Sequence, residues 1–87
     1  FNANLTGALL KQTKAIKTQL SDAQLSKAVF FKTNLLDANL KNARLLEAEL
    51  NEVNLIGAEI ENAVFGNNIG IDEKMKQDLI DRGAIFE

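Results

Sequence analysis

No cysteine, histidine, proline, tryptophan or tyrosine occurs in this 87-residue chain. Without cysteine there is neither a disulfide framework nor thiolate chemistry. Without histidine as well, the usual zinc sites and the serine–histidine relay are excluded. Long apolar runs are missing too: the longest, Ala28-Val29-Phe30-Phe31, falls far short of the roughly 20 residues that span a bilayer. The chain begins at Phe1 rather than methionine, so a processed form or an excised piece is expected.

What is present has the balance of one small folded domain, with 46% hydrophobic and 25% charged residues. Net charge is −2, unevenly spread. Residues 1–32 set five lysines against Asp22 alone, net +4; residues 33–66 set Lys41 and Arg44 against six acids, net −4.

A rhythm of five runs through "ANLKNARLLEAELNEVNLIGAEIENAVF", residues 38–65. Extended over the chain it has thirteen centres at multiples of five, from Leu5 to Phe65, all large and apolar except Ala15. Two residues before each centre stands Ala, Thr or Val. Two residues after each stands Gly7, Gln12, Lys17, Asp22 and so on to Asn67, never an apolar residue. In a helix, steps of five residues spiral around the cylinder. In a strand they alternate between faces. A chain that turns a corner once per repeat keeps each centre and each small residue inside, with polar corners outside. Stacking at a spacing of 20 aligns Ile16, Leu36 and Ile56; a spacing of 15 aligns Ile16, Phe31 and Leu46 nearly as neatly.

The units "ANLTG", "TNLLD", "ANLKN", "ARLLE" and "AEIEN" resemble the A(D/N)LxX units of the pentapeptide-repeat family, over residues 3–67. The resemblance implies an all-β solenoid: a right-handed quadrilateral β-helix with four repeats per coil. About three coils then fit in residues 1–67, and stacked strands at roughly 4.8 Å give a prism about 16 Å tall.

Residues 68–87 leave the rhythm and are expected to form a C-terminal capping helix and tail within the same compact domain. Asp72 suits an N-cap, Met75 and Leu79 share a helical face, and Gly83 suits a left-handed C-cap, giving a helix over about 73–82. Met75, Leu79, Ile85 and Phe86 are the expected plug over the last coil, because a solenoid end exposes unpaired backbone. Similar tails close some cyanobacterial and chloroplast members of the family. At the other end Phe1 falls mid-repeat, so upstream coils are expected to precede it; alternatively Phe1 folds under the first coil.

Catalytic, cofactor and metal sites are not expected. Glu59 and Glu61 flank Ile60 on an outer side with no cleft to perturb them, and "GNNIG" at 66–70 lacks the lysine of a phosphate loop. Nucleic acid is a poor partner, since no tryptophan, tyrosine or arginine joins Lys11, Lys14, Lys17, Lys27 and Lys32. The outward positions beside each centre hold eight apolar residues. At a spacing of 20, Ile16, Leu36 and Ile56 form a vertical stripe, with Leu9, Val29 and Phe31 on the preceding side. If Ile16 instead turns inward beside the small Ala15, one rung is lost.

The expected role is a non-catalytic scaffold that presents this side to a protein partner or to itself, with neither membrane nor small-molecule substrate. One alternative taken from the family is a DNA-mimicking protein that engages gyrase, against which the basic first half argues. Another is a structural spacer within a longer solenoid. The start and tail lean towards a thylakoid lumen or periplasm, with cytoplasm next. The opposite charges of the two halves add an expectation of weak, salt-sensitive end-to-end stacking.

Overall fold

The computed structural model describes residues 4–11, 14 and 16–87. Expectations resting on Phe1, Ala3, Gln12, Thr13 and Ala15 lie outside the described residues. Every described corner has positive φ: 74° at Gly7, 73° at Gly57, and 50–63° at ten residues that are not glycine, from Lys17 to Asn67. At most described corners this residue is the third of a β-turn that runs from a large centre to the next small residue. Ala38 N–H donates to the Leu35 carbonyl at 3.0 Å, and Ala43 N–H to Leu40 at 3.1 Å. Positive φ at that position is the mark of a type II turn, normally filled by glycine or asparagine. Branched side chains are worst tolerated there, and none of the corner positions carries valine, isoleucine or threonine.

Between corners, short extended segments pair in parallel with segments 20 residues further on. Leu9 pairs with Val29, Gln19 with Asn39, Val29 with Glu49, and Asn34 with Asn54. The longest of these segments are β1 (Arg44–Leu46) and β2 (Val64–Gly66), which pair in the same register. Each rung uses backbone bonds on both sides: Leu25 N–H donates to Arg44 O at 2.8 Å, and Arg44 N–H to Ala23 O at 3.0 Å. The corners join in, with Lys27 N–H donating to Leu46 O at 2.9 Å. The spacing is therefore 20 and not 15, and the chain is a parallel β-solenoid. The ladder continues past Asn67, where the rhythm stops, to a rung between Glu49 and Ile69.

Side chains follow the backbone. Ala23, Ala28, Ala38, Ala43, Ala48 and Ala63 are fully buried, and Leu25, Leu35, Leu40, Leu45, Leu50 and Ile60 fill the interior beside them. Phe30 and Phe65 are the largest residues in this core. Thr33 occupies a small-residue slot while buried, and its hydroxyl donates to the carbonyl of Leu10. Leu5 and Leu10, in the first coil, are only partly covered.

Beyond the ladder, helix α1 runs Glu73–Asp81. Asp72 caps it, accepting from Met75 N–H at 2.8 Å. At its end Gly83 N–H donates to Ile80 O and Ala84 N–H to Leu79 O, both at 3.0 Å, with Gly83 at φ 100°. This is a Schellman close. The chain then adds strand β3 (Ile85–Phe86) in parallel beside β2. Leu79 is fully buried against the core, Met75 packs at its edge, and Phe86 stacks on Phe65 with ring centroids 5.2 Å apart. Ile85 corrects the sequence reading: it is exposed, and Ala84 is buried instead. Strand alternation explains the exchange, because residues 84 and 86 face the core while residue 85 faces out.

Two stability effects are expected, each measured by denaturant unfolding. Leu40→Ala should cost about 2–5 kcal/mol through the cavity left between coils. Glu52→Val should cost about 1–2 kcal/mol through its left-handed corner, whereas Glu52→Gly should stay close to the parent.

Candidate functional site

The outer surface is assembled from the residues on either side of each centre. Several of these are asparagines that serve their own turn. Asn34, Asn39 and Asn54 each accept, through Oδ1, the backbone N–H two residues on, at 3.0–3.1 Å. This bond gives the N of the A-N-L units a local structural task. Identical register also stacks side chains 20 apart: Gln19 accepts from Asn39 at 3.1 Å, and Lys27 lies 3.8 Å from Glu47. Lys41 sits 3.4 Å from Glu59 and 3.9 Å from Glu61, so that carboxylate pair lies within a surface ion-pair cluster. Exposed pairs of this kind are worth at most about 1 kcal/mol.

On one side Ile16, Leu36 and Ile56 stand in a column. Lys17 N–H donates to Leu36 O at 2.9 Å, and Asp37 N–H to Ile56 O at 3.0 Å, which fixes their vertical alignment. Ile56 is 70% exposed and Ile16 44% exposed, while Leu36 between them is half-buried. Ile16 therefore stays outside, and the inward bulge considered from the sequence does not form. Leu9 and Val29 pair on the preceding side, but the column passes next to Glu49 before reaching the exposed Ile69. Phe31 is half-buried, with the Lys32 ammonium 5.3 Å from its ring centre. That side is thus a broken patch, and the Ile16–Leu36–Ile56 side is the continuous one.

At its Ile56 end the stripe runs into a groove of about 290 Å3 between the solenoid and α1, lined by Leu55, Ile56, Met75, Asp78, Leu79 and Arg82. Arg82 shapes it. Its guanidinium donates to Leu55 O at 2.9 and 3.0 Å and to Ala58 O at 3.3 Å, satisfying carbonyls on the last turn of the solenoid. Its Nε faces Asp78 at 3.4 Å as an ion pair without a well-directed hydrogen bond. Sequence reasoning placed Arg82 in the final helical turn but missed these bonds, since no pattern in the chain marks a cation that reaches back to carbonyls 24 and 27 residues earlier. Asn68 was also missed: it accepts from Gly66 N–H at 2.8 Å and donates to Leu45 O and Ala48 O at 2.8 and 3.0 Å. "GNNIG" is thereby tied into the ladder as a connector.

Among the described residues, no group of three or more carboxylates is placed to hold a metal ion, and no helix is long and apolar enough to cross a membrane. A parallel β-solenoid that turns a corner every fifth residue is the class of protein these features define. The family profile "Pentapeptide repeats" matches residues 2–30 and 33–67 in eight copies. The chain belongs to the pentapeptide-repeat family, whose members are generally non-catalytic. Among solved structures it is similar to a pentapeptide repeat protein from the Arabidopsis thaliana thylakoid lumen, at 27% identity and a TM-score of 0.67. That match covers 76% of this chain and 49% of the other, so the chain spans about half the length of that relative. A pentapeptide repeat protein from Nostoc matches at 25% identity and a TM-score of 0.44, over 99% of this chain and 78% of that one. No curated protein matches.

Replacing Arg82 with leucine should lower stability by about 1–3 kcal/mol, because the Ala58 carbonyl loses its donor and the Leu55 carbonyl keeps only the Ala58 N–H. Unfolding of Arg82→Leu beside Arg82→Lys checks this, and the lysine variant should recover part of the loss.

Proposed function

We propose that this chain is a non-catalytic scaffold whose Ile16–Leu36–Ile56 side is a contact surface for another protein molecule. Its frame is read as a right-handed, four-sided β-helix of about three coils, with α1 and β3 as the C-terminal cap. The 20-residue register supports four sides, since it divides into four units of five. Burial of Leu79 and Ala84, and the Phe65–Phe86 stack, support the cap. The observation that carries the docking reading is an unbroken column of three apolar side chains on the outer wall, continuous with a mostly apolar groove. Contiguous exposed apolar surface is a mark of interaction sites.

The DNA-mimic alternative needs negative charge along the whole wall, whereas Lys17, Lys27 and Lys32 stand exposed at corners of the early coils. The thylakoid-lumen origin of the Arabidopsis relative supports a lumenal or periplasmic setting.

Leu36→Glu should cost clearly less than Leu40→Ala, because Leu36 is only half-buried on the outer wall. A photo-cross-linking side chain at position 36 should form adducts, in concentrated protein or native extract, that the same group at Glu61 does not. Unfolding of Leu36→Glu on the scale of Leu40→Ala, or equal adducts from both positions, would sink the reading.

A further inference from the structure

We propose that the molecule on the Ile16–Leu36–Ile56 side is a second copy of this chain, paired antiparallel about a two-fold axis that crosses the stripe at Leu36. This deepens the docking reading above and rests on it. A side can meet its own copy symmetrically in two ways, with the two-fold axis along the solenoid or across it. Charge decides between them.

The relevant side carries, from the first coil upward, Lys14-Ile16-Lys17, Asn34-Leu36-Asp37 and Asn54-Ile56-Gly57. With the axis along the solenoid, each Lys17 would face Lys14 of the second copy at the same height, a like-charge contact made twice. With the axis across it, Lys14 faces Asn54, Lys17 faces Gly57, Ile16 faces Ile56, and Leu36 and Asp37 each face the same residue of the other copy, so one like-charge contact at the axis stands against two in the first arrangement. Gly57 has no side chain, and the Asp37 carboxylate of its own chain lies over it: a Cβ built on Gly57 would collide with that carboxylate. Lys17 of each copy therefore meets Asp37 of the other, and symmetry makes the contact twice.

Both charges are available for it. Among the described residues, neither Lys17 nor Asp37 joins an ion pair within its own chain, and both are exposed. Glycine at position 57, stacked above Lys17 and Asp37 in the same column of corners, leaves the space in which the two charges approach. The groove beside Ile56 then receives Ile16 of the second copy. The contact is small. Cα extents of 24 × 23 × 22 Å allow a side of roughly 500 Å2, below the standard of about 800 Å2 per partner. The pair should be weak, concentration-dependent and weakened by salt.

Sedimentation velocity from micromolar to millimolar protein at low ionic strength tests it. The mass should climb from the monomer's 9.6 kDa towards twice that value. Lys17→Glu should raise the dimer dissociation constant about tenfold or more, and adding Asp37→Lys should restore it. Both substitutions suit the left-handed corner, which Lys27, Lys32, Glu47 and Glu52 already occupy, and circular dichroism checks that each variant is folded. A folded monomer throughout the range overturns self-pairing, and the position-36 cross-links then belong to a different protein. A dimer that ignores the Lys17–Asp37 exchange overturns the antiparallel arrangement. Neither result touches the stability test of the docking reading, so the two failures remain distinct.

Discussion

A left-handed corner at every fifth residue is the constraint on which the remainder depends. It is locally costly, of order 1 kcal/mol for a residue with a side chain, and the chain accepts it at ten non-glycine positions. The compensation is collective. Corner N–H groups such as those of Lys27, Lys32 and Asp37 donate to the coil above, so the strained residue supplies a rung instead of an orphan donor. Because the corner recurs at an odd interval, it also re-aims the chain before strand alternation can send a leucine outward.

The interior follows from this geometry. Converging sides leave space for alanine at the slot before each centre, and the fully buried alanine columns show how tightly it is used. Leucine, isoleucine and phenylalanine then fill the middle. The outer wall answers to fewer demands: asparagine brackets its own turn, and charged residues pair with residues 20 away. Where neither task applies, as at Ile16 and Ile56, composition is free to serve contact with another molecule.

The division between inside and outside was legible because it depends only on the interval of five, which the chain repeats thirteen times. Coil length was not legible from periodicity, since 15 and 20 are both multiples of five and give every residue the same inward or outward sense. Only the hydrogen-bonded register separates them. The helix could be read from Asp72, the Met75–Leu79 face and Gly83. Ile85 was misplaced because hydrophobicity was weighed without the strand alternation that gives Ala84 the inner position. Arg82 and Asn68 act through long-range side-chain bonds to backbone carbonyls, and such bonds leave no periodic trace.

The 20-residue register also governs how such a gene can change length. Inserting or deleting one pentad preserves the core, because inward and outward positions recur every five residues. Yet it rotates everything downstream by one side of the coil, so Ile56 and Gly57 would leave the column of Leu36 and Asp37 while folding remained undisturbed. Only whole coils can be gained or lost without scrambling the wall. Lineages that share a surface are therefore expected to differ by twenties, and those that differ by fives to have exchanged one surface for another.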